Sequence, residues 1–413
     1  MIGKPLLEAA VTAVAVIVAP VLGAAPLHAQ EPPPLAVQSE RLVSGDEFGD
    51  PWGLEVGPDG RLYVGFPDDG LVRVVDPETG AVETLSVAEH GPRLFPSVVR
   101  WTGDTLWAMD RERTTAVLFD DAWEPIRSVS LLTPGRMGEI RAFGATHLLP
   151  GERLLVRTWA SIPAMAMADP DFDGLPDDFP PHLGAAEAVT EIPVWTTDHS
   201  GAVLDTLVSL STRNRAAVLL RPEGAPRGRS VMRQVPQPFA DYPLLGVDPT
   251  ASHFVMVDRP VEGGPGSRES PRFTVHRLTL DGDTMSTLHH TYEPVPLREA
   301  WIEAAAREYG EGISADTAAA IAAARDVLYT PAWLPPVSRV LVGREGWAWL
   351  RRERIPDSER LRWEIHDPDG ERVGAIEVRS TIEIRAVHGL EAWAIEGAGD
   401  DAFDLWHLSV RRP

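Results

Sequence analysis

Residues 51–85 read PWGLEVGPDGRLYVGFPDDGLVRVVDPETGAVETL, four short extended runs separated by tight turns. The runs are 53–56, 61–66, 71–76 and 82–85; the turns are Pro58-Asp59-Gly60, Asp68-Asp69-Gly70 and Pro77-Glu78-Thr79-Gly80. In Pro-Asp-Gly the proline presets φ, the aspartate caps its own turn, and the glycine accepts positive φ. Strands joined this closely have to be antiparallel neighbours. A meander of about 35 to 45 residues with four such strands is one blade of a β-propeller.

Weaker copies extend in the C-terminal direction. The second-strand triplet Leu62-Tyr63-Val64 recurs as Leu106-Trp107-Ala108, Leu154-Leu155-Val156, Phe254-Val255-Met256, Trp347-Ala348-Trp349 and Ala392-Trp393-Ala394. A third strand with a polar turn recurs at 72–80, 116–123, 194–201, 273–282, 363–370 and 404–410. These copies predict an all-β fold, a six-bladed β-propeller. From Tyr63 the anchors step by 44, 48, 99, 93 and 46 residues, and the two doubled steps make eight blades the competing count. Six is preferred because each long step holds sequence unlike a blade. Residues 161–187 are rich in Pro, Asp and Ala, and 297–328 read as helix, with Ser314 as N-cap and Asp316 in the first turn. Insertions of this kind sit on loops at one rim, often the binding rim. The isolated run Ala36–Val43 is expected to complete the last blade and close the ring, removing exposed edges.

A chain of 413 residues would ordinarily divide into two or three domains. A closed repeat array escapes that rule because each unit adds core to its neighbour, so 30–413 is read as one propeller domain. The 38 prolines and 35 glycines suit many turns between short strands. A formal net charge of −23 repels phosphate backbones and excludes general nucleic-acid binding. It suits cations, basic partners or plain solubility. There is no cysteine, so disulfides, thiolate catalysis and cysteine-ligated zinc are excluded.

Residues 1–29 have the short basic start, apolar run and small-residue exit of a secretory signal peptide, with cleavage expected after Ala29. The alternative, an uncleaved anchor, would rest on residues 9–25, broken by Pro20 and marginal for a bilayer core of about 30 Å. The expected location is periplasmic or extracellular. No later segment is apolar enough to span a membrane, and the chain is read as a monomer.

The first unit resembles a blade of the six-bladed propellers of NHL-repeat and TolB-like type. Pro51, Gly53, Pro58-Asp59-Gly60, Leu62-Tyr63-Val64, Val72, Val74 and Asp76-Pro77 carry the likeness. The resemblance implies a fold and a binding surface at a channel rim. It implies no reaction, because this architecture serves binding proteins, lactonases, lyases and scaffolds alike.

The sharpest local motif is Asp169-Pro-Asp171-Phe-Asp173-Gly174-Leu175-Pro176-Asp177-Asp178. Alternate carboxylates of Asp169, Asp171 and Asp173, the Leu175 carbonyl and Asp177 offer hard oxygens to calcium around the turn at Gly174. It is similar to EF-hand, dockerin and thrombospondin type 3 loops, but Pro180 stands where a bidentate glutamate is usual. A solvated acidic loop without metal is the alternative.

Other polar residues offer less. His289-His290 on a strand face opposite sides. His147, His199, His366, His388 and His407 lack ligand spacing and read as turn or core residues. Glu55, Asp110, Asp248 and Asp258 stand near inner-strand ends and are candidates to converge on the channel. A gluconolactonase-like calcium site needs an asparagine, and Asn214 is the only one. No Gly-x-Ser-x-Gly elbow or phosphate loop is present. Trp52, Trp107, Trp347 and Trp393 read as packing between blades rather than a sugar platform. The leading expectation is therefore a binding module for a protein, peptide or glycan at a channel mouth. A calcium-dependent hydrolase, lactonase or lyase in the channel, and a pure scaffold, are its rivals.

Overall fold

The computed structural model describes residues 33–412, except 46–50, 87–95, 111–114, 121–122, 131–144, 152, 158–182, 186–190, 199–201, 212–216, 221–232, 251, 262–270, 312–316, 357 and 400–401. The proposed signal peptide, the aspartate loop, His199 and the Ser314 cap lie outside the described residues.

Six four-stranded antiparallel sheets follow one another and form a six-bladed propeller, which settles the count against eight. The first blade comprises Gly53–Val56, Leu62–Phe66, Leu71–Val75 and Val82–Ser86. The second comprises Pro96–Thr102, Thr105–Asp110, Thr115–Phe119 and Pro125–Ser130. The third comprises Ala145–Leu149, Arg153–Arg157, Glu191–Thr197 and Val203–Ser211. The fourth comprises Leu244–Val247, His253–Asp258, Arg272–Thr279 and Thr284–Thr291. The fifth comprises Val337–Val342, Ala348–Arg352, Arg360–His366 and Arg372–Arg379.

The sixth blade mixes both ends of the chain. Ile382–His388, Glu391–Gly399 and Ala402–Arg411 supply three strands, and Ala36–Val43 pairs antiparallel with the last of them, Ala36 opposite Arg411 and Arg41 opposite Trp406. Just before that strand, the Leu35 amide donates to the Ala375 carbonyl (2.8 Å). The Leu35 side chain sits in the core shared by the fifth and sixth blades. The N-terminal segment thus ties two blades together.

Every junction between successive blades has its own apolar cluster. Tyr63, Val72 and Val74 of the first blade pack with Val99, Trp101 and Leu106 of the second. Trp107 and Met109 pack with Leu148 and Leu154 of the third. The ring closes where Trp393, Ile395 and Leu405 of the sixth blade meet Leu54, Val56 and Leu62 of the first. Burying each large side chain contributes about 2–3 kcal/mol. Second strands are sandwiched between neighbours, which is why Tyr63, Trp107, Leu155, Val255, Trp349 and Trp393 are all buried. In the fourth and fifth blades the equivalent positions are Val255 and Trp349, one and two residues beyond the sequence anchors at Phe254 and Trp347. Trp107 and Trp393 are buried between blades, whereas Trp52 is 41% exposed.

The meander sends alternate turns to opposite rims. At one rim, first-to-second and third-to-fourth strand turns are short, from two residues at 103–104 to six at 76–81. The strand ends that the long connections join, Arg157 to Glu191, Ser211 to Leu244 and Thr291 to Val337, lie at the other rim. There helices α1, Glu299–Gly310, and α2, Thr317–Val327, pack around Trp301, Ala306, Ala324 and Phe239. They occupy the stretch expected to be helical. An unforeseen three-stranded sheet of Leu183–Ala185, Ala217–Leu220 and Arg233–Pro236 lies beside them, its strand Leu183–Ala185 against α2.

At the short-turn rim, Gly282 has φ +85° and a Cβ there would lie 2.2 Å from the Leu207 carbonyl oxygen of the third blade. Gly60 has a similar φ of +79° but open space around it. Gly60→Ala is therefore expected to cost about 1 kcal/mol from backbone strain alone, and Gly282→Ala more than about 2 kcal/mol because two blades must separate. Chemical denaturation of the two variants measures the difference; equal losses would show that the close approach does not hold the blades.

Candidate ligand sites in the channel and at its rim

The residue of each inner strand that pairs with the buried second-strand anchor faces the axis. Those six residues are Glu55, Arg100, His147, Gly246, Leu341 and Ala386. All line one axial cavity of about 110 Å³. Its first three blades give polar groups and the next three give glycine, leucine and alanine. Arg385 adds a second guanidinium to the lining, because a register shift between Ile384 and Ala386 leaves it unpaired in the sheet. A bulge of this kind re-aims a side chain.

These charges are engaged with one another. Arg100 donates to Glu55, and Arg385 and Arg339 both reach Glu383 at 2.7 Å. His147 is held well below its ordinary pKa, first by burial and then by the nearby Arg100 charge, so it is neutral at pH 7. At the short-turn end, Arg344 of the fifth blade reaches across the axis. Its Nε donates to the Val56 carbonyl (3.1 Å) and Nη2 to the Gly103 carbonyl (3.4 Å), tying that mouth to the first two blades.

Of the carboxylates expected to converge, Glu55 alone among the described side chains lines this cavity. Asp248 instead caps its own turn, accepting from the Thr250 amide (3.2 Å) with His253 Nδ1 3.4 Å away. Asp258 stands opposite Thr274 within its blade, and the Asp110 side chain lies outside the described residues. Among the described residues, no three His, Asp or Glu side chains gather as a metal site. Asp169, Asp171, Asp173, Leu175 and Asp177 are outside them. A cavity of 110 Å³ is also small beside the roughly 300–1,000 Å³ of sites that enclose a drug-sized molecule.

A larger cavity of about 430 Å³ opens between the fourth and fifth blades, beside the two legs of the helical insertion. Tyr292, Val295 and Leu334 form its apolar wall, and Arg352, Arg354 and Arg360 its basic one. The legs are bonded together, the Leu334 amide donating to the Val295 carbonyl at 2.8 Å. At the cavity's inner end Glu364 is buried between Arg352 (3.1 Å) and Arg372 (3.3 Å). Arg352 also lies over the Tyr292 ring, 5.2 Å from its centroid. Arg354 and Arg360 are exposed at the opening.

Beneath this cavity the structure joins two histidines that sequence spacing did not connect. His290 and His366 meet edge to face with centroids 4.7 Å apart, across the junction of the fourth and fifth blades. His289 faces the other way, its Nδ1 3.1 Å from Thr274 Oγ1, as the alternation of a strand requires. His388 lies near Glu345, and His407 stacks on Trp393.

No family model matches the chain, and no curated protein does. Solved structures with a similar course of chain include a member of the DUF4221 family from Bacteroides vulgatus, 10% identical, with a TM-score of 0.44, covering 93% of this chain and 99% of that one. A gluconolactonase from Xanthomonas campestris is 13% identical, with a TM-score of 0.37, covering 92% and 96%. The calcium-binding protein regucalcin from Agrobacterium tumefaciens is 10% identical, with a TM-score of 0.34, covering 93% and 97%. At these identities no activity is transferred from them.

Burial holds His290 down to about 3 and His366 to about 4. In the unfolded chain both return to about 6.5 and bind protons that the native state refuses. Stability is thus complete above about pH 6.5 and is lost as pH falls toward 4. His290→Leu is expected to flatten this decline by about one proton, about 1.4 kcal/mol per pH unit, in denaturation series between pH 4.5 and 6. An unchanged slope would remove His290 from the account.

Proposed function

We propose that this protein is an exported binding propeller that takes a peptide, protein segment or glycan at its insertion-bearing rim. The observation that carries this reading is the gathering of the long segments at one rim, where helices and extra sheet meet and the 430 Å³ cavity opens between two blades. The opposite rim consists of short turns, with Arg344 tying its mouth. Concave, partly apolar surface with a few fixed polar groups is what ligand sites require, and loops on a rigid scaffold are where they form. Tyr292 with Val295 and Leu334 offers apolar contact; Arg354 and Arg360 offer bidentate donors to carboxylate or sulfate groups of the ligand. A likeness of the first blade to NHL repeats accords with such a role.

Arrays of peptides and of glycans, probed with the full mature chain, supply the ligand. The double variant Arg354→Glu, Arg360→Glu is expected to bind that ligand at least tenfold more weakly, about 1.4 kcal/mol, while Asp59→Asn at the opposite rim leaves affinity unchanged. The reverse pattern would place the site at the wrong rim. Calcium-dependent turnover of lactones or esters would instead favour the hydrolase reading.

Calcium belongs to the proposal through the loop carrying Asp169, Asp171, Asp173, Leu175 and Asp177, whose residue types suit a hard cation. Calorimetric titration with calcium is expected to give heat with the wild type and little with Asp171→Ala. Equal heats in both, or none in either, would end it.

A further inference from the structure

We propose that the axial cavity is a binding site for one compact monovalent anion, a halide or a small carboxylate such as formate. This inference does not depend on what occupies the rim. It begins with three polar atoms that line, or belong to side chains lining, the same 110 Å³ space. Arg100 Nε, Arg385 Nε and His147 Nδ1 are each buried and have no hydrogen-bond partner among the described protein atoms. The other ends of both guanidiniums are already committed, to Glu55 and to Glu383. Their Nε–H groups can only donate, since arginine has no acceptor. A buried donor left without an acceptor is costly, so two of them sharing a cavity call for an acceptor between them.

Charge points the same way. Arg100 and Arg385 of the lining, with Arg339 beside Glu383, stand against the two carboxylates of Glu55 and Glu383, an excess of one positive charge, whereas Arg344 at the short-turn mouth has Asp59, Asp104 and Asp248 near it as well. Neutral His147 adds no charge but can turn one N–H toward an anion, depending on tautomer. A positive axis inside a protein of net charge −23 is the reverse of the whole-molecule balance. A monovalent anion offsets this excess, which water does not. Gly246, Leu341 and Ala386 on the far side bring no competing acceptor side chain and leave room. Space sets the size. With about 30 Å³ as the liquid share of one water, the cavity holds a chloride, bromide or formate with a water or two, and excludes a sugar or a nucleotide.

The test compares thermal unfolding of the full mature chain in formate, in bromide and in the bulky anion gluconate, at constant ionic strength and increasing concentration. Binding to the native state raises the midpoint progressively with ligand. The expected result is a rise in formate and bromide but not gluconate, and at least a tenfold weaker response in Arg385→Gln, whose partner Glu383 is still held by Arg339. The double variant Glu55→Gln, Arg100→Gln removes the other pair together and is expected to lose the response without stranding a buried carboxylate. Bromide-soaked crystals give a second readout independent of variant folding: an anomalous peak within hydrogen-bonding reach of Arg385 Nε. A response to one of the two anions alone identifies which source the cavity accepts. Identical midpoints in all three salts, or density in the cavity with no anomalous signal, would overturn the proposal and leave solvent as the occupant.

Discussion

Each blade of this protein has two apolar faces, and neither can be left in water. That constraint governs the rest of the structure. Val64 and Val74 cannot be buried by the first sheet alone, so every sheet needs a neighbour on both sides and the series ends only when the last meets the first. The final junction draws on residues from both ends of the chain, with Val43 beside Leu54, Trp393 and Leu405. Without a disulfide anywhere, closure is a matter of packing and main-chain pairing, and Leu35 extends that pairing onto the fifth blade.

Closure also fixes which parts of the molecule are free to vary. Turns that sit against a neighbouring blade, such as the one at Gly282 against the Leu207 carbonyl, stay short. Links leaving from the other rim are under no such confinement, and the chain spends its extra length there. The helices pack on each other, and one strand of the small sheet lies against the second helix. The two legs of the helical segment, at 292–296 and 334–336, border a cavity whose floor is blade, with Arg352 and the buried Glu364.

Polar groups inside the ring follow a different logic from those outside. The surface is acidic, whereas the axis is lined with guanidiniums paired to two carboxylates, with a neutral histidine beside them. Arginine suits this place because its planar fork can serve a carboxylate with one edge and keep another donor for the cavity. The two histidines between the fourth and fifth blades show the complementary case. They are buried without charge, and stability declines as acid forces protons onto the unfolded chain.

Residue order by itself determined the blade and favoured six of them over eight; the six sheets of the structure settled the count. The Pro-Asp-Gly turns and the triplet around Tyr63 depend on nearest neighbours, and local turn chemistry is legible without knowing the fold. The helical character of α1 and α2 was legible for the same reason, through their alanines. Glu55 was visible as a candidate for the axis because the turn after Val56 sets its register against Tyr63. Tertiary structure alone decided the remainder. Arg385 reaches the cavity through a one-residue bulge, His290 finds His366 about 76 positions away in the next blade, and Arg344 crosses the axis to Val56 and Gly103. Each of these meetings is set by how sheets stack around a ring, and no spacing along the chain records the angle at which one blade faces another.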